Sequence, residues 1–233
     1  VGASSDGSGS GNTFIRNLKG FGFEGRMSII HPTAQMIDGI PCYPSLGALP
    51  EAVDYAYIAI PAARVPPLLA AAGGRVAFAQ VMSSGFAEVE GGDIRQMELL
   101  ESARKGGLRV FGPNCLGLAN VKHDIWATAS SRGASGLIGP IGLVCQSGAT
   151  AFGPFLVRAV ENGIGFSYII STGNEADLDF TDFARYLLDD PDTRVIAGFV
   201  EGFKRADKFL EVAKLAAERG KPIVLIKIGR SEL

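Results

Sequence analysis

The sequence is poor in cysteine and has no long apolar run. Its three cysteines, Cys42, Cys115 and Cys145, have no C-x-x-C spacing, so we predict neither a disulfide framework nor a metal site. No apolar stretch approaches the roughly 20 residues that a membrane-spanning helix requires. The net charge of −2 provides no broad basic surface for nucleic acid. We therefore expect a soluble, cytoplasmic protein with reduced thiols, and neither nucleic acid nor a membrane as a partner.

Apolar stretches alternate with helix-periodic segments along the chain. The first half predicts strands at 26–30, 54–60, 76–82 and 108–111, and helices at 14–21, 62–72 and 94–105. The second half predicts strands at 141–145, 166–170, 195–200 and 223–228, and helices at 149–161, 180–188 and 206–218. This order is typical of parallel sheets with right-handed helical crossovers. The periodicity lapses between Asn120 and Gly139, which predicts domains at residues 1–130 and 137–233.

A small polar turn follows the strand predicted at 141–145. Ser147, Gly148 and Thr150 stand where the next helix begins. A helix start presents free backbone N–H groups and the positive end of its dipole, and small side chains let a ligand reach them. The turn therefore suits a phosphate group. An ordinary connection, with Ser147 as N-cap, stays open as the second interpretation.

A third interpretation makes Ser147 the nucleophile of a serine hydrolase. The nucleophile elbow of that fold needs glycine two residues before the serine, where this chain has Cys145, and no histidine follows His123. The hydrolase is therefore disfavoured. Glu201 ends the strand predicted at 195–200 and faces the same sheet edge as Ser147, either as part of a site or as a solvated carboxylate.

A glycine-rich turn, Gly2 to Gly11, opens the chain. Such a turn brings the backbone close to a dinucleotide, and a carboxylate after the second strand then holds the ribose hydroxyls. This chain has His31-Pro32-Thr33 at that position. A ring that can be cationic and a hydroxyl favour a phosphorylated ribose, as in NADP or coenzyme A (CoA). His31 as a surface residue before a proline turn is the alternative.

The segment Gly112-Pro113-Asn114-Cys115-Leu116-Gly117 follows the last strand predicted in the first domain. Asn114 and Cys115 are therefore expected at the ligand edge of that sheet. A nucleophilic Cys115 would need a base or a cation beside it, and the local sequence supplies neither. We therefore expect an amide and a small thiol that line a groove.

Taken together, six motifs resemble the CoA-binding, alpha-type portion of NDP-forming acyl-CoA synthetases, the superfamily that includes the succinyl-CoA synthetase alpha subunit. The motifs are Val1-Gly2-Ala3-Ser4, Ile60-Pro61-Ala62, Ser84-Gly85-Phe86-Ala87-Glu88, Gly112-Pro113-Asn114-Cys115-Leu116-Gly117, Gln146-Ser147-Gly148 and Lys227-Ile228-Gly229-Arg230-Ser231-Glu232. The resemblance implies an α/β fold, in which a Rossmann-like CoA-binding domain precedes a flavodoxin-like, doubly wound parallel-sheet domain.

The resemblance also implies that CoA lies along the first domain. Its nucleotide and phosphates would lie near the glycine-rich turn and the 31–33 segment, and its thiol near residues 114 and 115. The residues expected to bind CoA are Gly2, Ala3, Ser4, Ser5, Gly11, His31, Pro32, Thr33, Pro61, Ala62, Ser84, Gly85, Asn114 and Cys115.

For the second domain the resemblance implies a phosphate site formed by Ser147, Gly148 and Thr150, which receives a phosphohistidine that Glu201 orients. The implied reaction converts acyl-CoA, NDP and phosphate reversibly into acid, CoA and NTP, through acyl phosphate and phosphohistidine. In-line phosphoryl transfer of this kind depends on positioning and on charge neutralisation.

Two parts of such enzymes are not found in this sequence. The family's phosphohistidine loop follows the Gly-Arg-Ser-Glu motif, where this chain ends at Leu233. The ATP-grasp domain, which binds ATP or ADP with Mg²⁺, is missing as well. We therefore expect an ATP-grasp domain or subunit as partner, a small carboxylic acid or its acyl-CoA as substrate, and an oligomer. A CoA-sensing module, or the synthetase-like half of a fused protein acetyltransferase, is the alternative.

Overall fold

The computed structural model describes residues 1–130 and 136–229. Residues 131–135 of the predicted domain boundary and Arg230-Ser231-Glu232 of the last motif lie outside this range. The described strands are β1 (Ile29–Ile30), β2 (Met36–Ile37), β3 (Ile40–Tyr43), β4 (Val53–Ile58), β5 (Val76–Val81), β6 (Arg109–Phe111), β7 (Gly117–Asn120), β8 (Ile125–Thr128), β9 (Ile138–Cys145), β10 (Phe166–Ser171), β11 (Val195–Val200) and β12 (Ile223–Lys227). The described helices are α1 (Gly9–Gly20), α2 (Val65–Ala70), α3 (Gly92–Gly106), α4 (Gly148–Thr150), α5 (Leu156–Glu161), α6 (Phe180–Asp189) and α7 (Ala206–Glu218).

The first domain contains two small sheets. Parallel strands β4, β5 and β6 form one, and β1, β3 and β2 form the other. The Val1 amino group donates to the Tyr57 carbonyl at 2.8 Å, and the Val1 carbonyl accepts from the Ala59 N–H at 3.1 Å. Val1 therefore lies beside the end of β4 as the residue of a parallel strand would. Ile58, Val81 and Leu99 are fully buried between the sheet and its helices.

The second sheet has the strand order β12-β11-β9-β10-β7-β8. Strands β9 to β12 are parallel, as predicted. Strands β7 and β8 form an antiparallel hairpin that pairs with β10. We predicted irregular structure after Asn120, and this was wrong for β8 because a four-residue strand is too short to show a clear alternation. The α/β fold is confirmed, whereas the domain bounds at residues 130 and 137 stay a prediction.

The helix predicted at 149–161 is interrupted. A wide π turn, Ala151–Phe155, separates α4 from α5. Gly153 has φ −103° and ψ −108°, outside the helical region, and Pro154 has no N–H for the helical ladder. Helix α1 also begins earlier than predicted, at Gly9. Among the described residues, no helix is both long enough and apolar enough to cross a membrane.

The loop between β10 and α6 joins the two domains. Phe111, at the end of β6, makes a parallel bridge with Leu178 in this loop. The Asp177 carboxylate pairs with the Arg109 guanidinium at 2.8 Å and accepts from the Val110 N–H at 2.8 Å. The carboxyl edges of the two parallel sheets therefore meet at this loop.

Candidate functional site

The turns that follow the first-domain strands stand side by side. The Ala59 N–H donates to the Val1 carbonyl, the Ser83 hydroxyl donates to the Ile60 carbonyl, and the Asn114 N–H donates to the Ser83 carbonyl at 3.0 Å. These bonds bring together the Gly2–Ser5, Pro61–Ala62, Ser84–Gly85 and Asn114 segments at one edge. Carboxyl edges of parallel sheets are where such folds bind ligands.

Gly2 and Gly11 are required by the packing of the chain on itself. Gly2 has φ +93°, and a Cβ there would lie 2.2 Å from the Ala59 carbonyl oxygen. A Cβ at Gly11 would lie 2.5 Å from both the Gly2 oxygen and the Ala3 nitrogen. The glycine pattern predicted a close backbone approach to a ligand. The close approaches in the structure are within the chain: the turn meets the end of β4 at Gly2 and helix α1 at Gly11.

Asn12 fixes the conformation of the glycine-rich turn. Its Oδ1 accepts from the Ser4 N–H at 2.7 Å and its Nδ2 donates to the Ser4 carbonyl at 2.9 Å. The Asp6 carboxylate accepts from the Ser8 N–H at 2.8 Å. Hydrogen bonds from Ser8 and Ser4 lower the pKa of Asp6 to about 2. Sequence reasoning missed Asn12, because a buried amide in an amphipathic helix has no distinguishing pattern.

His31 closes the turn after β1. Its Nδ1 accepts from the Thr33 N–H at 3.3 Å and from the Ala34 N–H at 3.0 Å. Because Nδ1 accepts these two bonds, Nε2 is the ring nitrogen that can still donate to a ligand. The contact of His31 with a phosphorylated ribose stays a prediction. Pro32 and Thr33 are exposed in the same turn.

The turn at Ser84–Gly85 is held by Glu88. The Glu88 carboxylate accepts from the N–H groups of Gly85 and Phe86, and from the side-chain amide of Asn174 in the second domain. Burial raises the pKa of Glu88, but these hydrogen bonds outweigh it and leave the pKa lowered. Oε1 of Gln96 also accepts from Nδ2 of Asn174, at 3.2 Å. This cluster connects the carboxyl edge of the first-domain sheet to the second domain.

Asn114 and Cys115 differ in exposure. Asn114 is exposed with φ +57°, and its side-chain Nδ2 donates to Oδ1 of Asn174 at 3.4 Å. Cys115 is 1% exposed, and its thiol donates to the Ser171 carbonyl at 2.7 Å. Burial raises the pKa of Cys115 to about 12. Cys115 is thus no nucleophile at neutral pH. Our expectation that its side chain lines an open groove was wrong, because the thiol is packed between the domains.

Thiol labelling tests this burial. We expect iodoacetamide at pH 8 to modify Cys42, which is partly exposed, and to spare Cys115 and Cys145, whose pKa values burial raises to about 12. Burial raises the pKa of Cys42 as well, but its side chain is partly accessible to the reagent. We therefore expect Cys115 and Cys145 to react at least about 10²-fold more slowly than in the unfolded chain. Peptide mass spectrometry gives the rates, and urea-unfolded protein, in which all three thiols react, is the control. Equal rates for Cys42 and Cys115 in the folded chain would contradict the buried position.

Ser147 is the N-cap of α4. Its Oγ accepts from the Thr150 N–H at 3.3 Å and from the Thr150 hydroxyl at 2.9 Å, as the N-cap interpretation predicts. A Cβ at Gly148 would lie 2.7 Å from Ser171 Oγ and 2.8 Å from Leu116 Cγ. The Ser171 hydroxyl is buried and has no partner among the described residues. The first turn of α4 is therefore packed closely against the end of β10.

Gln146 and Glu175 hold the loop that carries Glu201. The Gln146 Oε1 accepts from the N–H groups of Glu201 and Gly202, and its Nε2 donates to Glu175 Oε2 at 2.7 Å. The Glu201 side chain is exposed. Glu175 is 4% exposed, and burial raises its pKa despite its hydrogen bonds. Sequence reasoning missed Glu175, since it stands in a polar loop without a motif.

The edges of the two sheets form one continuous line of polar turns. The Asn174 N–H donates to the Pro113 carbonyl at 2.9 Å, and the Gly173 N–H donates to the Gln146 carbonyl at 3.1 Å. The line therefore runs from the glycine-rich turn through Asn114 to Ser147 and Glu201. The fold and this line of turns define a class: a two-domain α/β protein with polar turns at the carboxyl ends of its parallel strands, where such folds bind ligands.

Comparison with known families specifies the class. Residues 1–121 match the profile of the CoA binding domain, and residues 138–233 match that of the succinyl-CoA ligase like flavodoxin domain. The chain therefore belongs to the CoA-binding-domain family. The order of its two domains is that of the alpha-type portion of NDP-forming acyl-CoA synthetases. The predicted membership is thereby confirmed.

The chain is similar to several ADP-forming acid–CoA ligases. It is 40% identical to acetate–CoA ligase (ADP-forming) I of Archaeoglobus fulgidus, over 100% of this chain and 33% of that protein. It is 35% identical to the alpha subunit of acetate–CoA ligase (ADP-forming) II of Pyrococcus furiosus, over 100% of this chain and 50% of that subunit. The apo structure of acetyl-CoA synthetase 1 from Ca. Korarchaeum cryptofilum superposes with a TM-score of 0.90 at 38% identity, over 99% of this chain and 50% of that one. The chain thus spans about a third to a half of these relatives.

Proposed function

We propose that this chain is the CoA-binding part of an acid–CoA ligase that forms NTP from NDP, phosphate and an acyl-CoA. The proposal is carried by the continuous edge between the two domains. An acyl-CoA thioester near Asn114 and a phosphate near Ser147 would be neighbours across Asn174. Similarity to acetate–CoA ligases supports a small carboxylic acid as substrate.

In this proposal CoA binds along the first-domain edge. The start of α1 fits a pyrophosphate, because Ser8 makes no capping hydrogen bond among the described residues and the first N–H groups of the helix can face a ligand. Ser4 and Ser5 would contact the phosphates, with Asn12 fixing the turn. The His31-Pro32-Thr33 turn would face the ribose phosphate, through Nε2–H and the Thr33 hydroxyl. Residues 61, 62, 84 and 85 would line the path to Asn114.

The second domain would hold the phosphate during transfer. Ser147, Gly148 and Thr150 would surround it, and Glu201 would orient a phosphohistidine supplied from outside residues 1–233. An ATP-grasp domain or subunit would bind the nucleotide with Mg²⁺, and it is the partner that we propose. CoA, when bound, supplies the thiol that accepts the acyl group. The protein's own contribution is to hold the reacting groups in line and to neutralise charge with backbone N–H groups.

Calorimetry with four ligands tests the CoA site. We expect CoA to bind the 233-residue chain about 10- to 100-fold more tightly than dephospho-CoA, because charge-assisted hydrogen bonds to the ribose phosphate are worth about 1.5–3 kcal/mol. NADPH and NADH, which lack the pantetheine arm, should bind more weakly than CoA. Tighter binding of NADPH than of CoA would replace the proposal with a reductase.

A further inference from the structure

Glu175 is a buried carboxylate that receives a hydrogen bond at each oxygen. Its Oε1 accepts from the Thr172 hydroxyl at 2.8 Å and from the Phe180 N–H at 3.0 Å, and its Oε2 accepts from Gln146 Nε2 at 2.7 Å. The residue has φ +55°, a left-handed conformation that a side chain larger than asparagine seldom adopts. The loop therefore maintains an unfavourable backbone conformation with this side chain turned inward.

The backbone on either side of Glu175 is bonded to the first domain. The Asn174 N–H donates to the Pro113 carbonyl and the Ala176 N–H donates to the Gly112 carbonyl, both at 2.9 Å. A Cβ at Gly173 would lie only 2.2 Å from the Pro113 oxygen. A displacement of the Gly112–Asn114 turn would consequently move the backbone of Glu175.

The side chain of Glu175 points the other way, toward the loop that carries Glu201. It binds the Nε2 of Gln146, and this fixes which end of the Gln146 amide faces the N–H groups of Glu201 and Gly202. Nε2 also donates to the Gly202 carbonyl at 2.7 Å. Every partner of the amide agrees with this orientation, since both donors face the oxygen and both acceptors face the nitrogen.

We propose that Glu175 is a positioning residue that couples the CoA edge to the phosphate site. Its backbone moves together with the Gly112–Asn114 turn. Its carboxylate orients the Gln146 amide, which in turn holds Glu201 beside the first turn of α4. Binding at one edge then changes affinity at the other, and the coupling is reciprocal. This inference deepens the proposed function and rests on it.

The variant Glu175→Gln isolates the coupling. In this variant the oxygen of the new side-chain amide at position 175 still accepts from Thr172 and from the Phe180 N–H. The NH₂ group of that amide must then face Gln146 Nε2, so two donors meet. If the Gln146 amide turns to relieve this, its NH₂ group faces the N–H groups of Glu201 and Gly202 instead. Either arrangement breaks a buried pair, although the side chains keep nearly the same shape.

The experiment measures phosphate affinity by calorimetry on the 233-residue chain, with and without saturating CoA. For the wild type we expect CoA to change the phosphate Kd by at least about fivefold, in the range of ordinary allosteric coupling. For Glu175→Gln we expect this ratio to fall to about one, with the CoA Kd changed by less than about twofold. The double variant Gln146→Glu/Glu175→Gln restores a donor–acceptor pair and should recover part of the coupling.

Two further variants keep the test decisive. Asp177→Asn weakens the ion pair with Arg109 in the same loop but does not touch Gln146, so it should retain the coupling. If Glu175→Gln does not fold, Gln146→Met interrupts the same path from the other end and should also abolish the coupling. Wild-type protein that binds neither CoA nor phosphate would overturn the proposed function and this inference with it. Binding of both ligands without coupling, or with coupling unchanged in Glu175→Gln, would overturn this inference alone.

Discussion

Replacing Gly11 with valine is expected to lower the free energy of unfolding by about 3–5 kcal/mol and to remove CoA binding at the same time. A Cβ at this position would overlap the Gly2 carbonyl and the Ala3 nitrogen, at 2.5 Å from each. These are backbone atoms of a turn that Asn12 also holds, so they cannot move aside as a flexible side chain could. Urea unfolding followed by circular dichroism measures the loss.

Gly20→Val is the matched control for this variant. Gly20 ends the same helix, and no atom lies within 4 Å of the Cβ that a substitution would add. We expect a change in stability below about 1 kcal/mol and unaltered CoA affinity. If Gly11→Val kept wild-type stability and still lost CoA, the close contact would be with the ligand and not with the turn.

The order of strands and helices could be predicted because hydrophobic periodicity is a local property. Strand β11 and helix α7 agree with their predicted bounds. The interrupted α4–α5 segment could not be predicted with the same rule, because an apolar pattern continues across Gly153 and Pro154. Of the small β1-β3-β2 sheet, the sequence predicted only the strand at 26–30. Strands of two to four residues are too short to show an alternation of apolar and polar residues.

The candidate site was predictable only where small residues follow strands. The turns at Gly2, Ser84, Asn114 and Ser147 carry that local signal, and all four lie on the continuous edge. The residues that connect the turns have partners far away in sequence. Glu88 and Asn174 are separated by 86 positions, and Gln146 and Glu175 by 29. A single sequence records no such pairings, so the link between the domains emerged only from the folded chain.

The purified 233-residue chain is expected to bind CoA and yet to show no ADP- or ATP-dependent ligase turnover by itself. Phosphate must travel between an acyl carboxylate and a nucleotide, which requires a nucleophile that can carry it. The chain has two histidines, at positions 31 and 123, and none from residue 138 onward. Nδ1 of His31 is engaged in its own turn. His123 lies in the turn between β7 and β8, past Asn120, which pairs with Tyr168 on the side of β10 away from Ser171. Neither histidine therefore lies beside Ser147.

The assay supplies acetyl-CoA, ADP, phosphate and Mg²⁺ and follows the release of CoA. Turnover should lie at least about 10³-fold below the roughly 10 s⁻¹ of an ordinary enzyme. The acetate–CoA ligase of Archaeoglobus fulgidus, of which this chain covers 33%, serves as the positive control under the same conditions. Turnover by the isolated chain would remove the proposed phosphohistidine route, because the phosphate would then be carried by a group within these 233 residues. Without turnover, CoA binding that persists would separate the task proposed for this chain, which is to hold the thiol and the phosphate along one edge, from the phosphate transfer proposed for a partner.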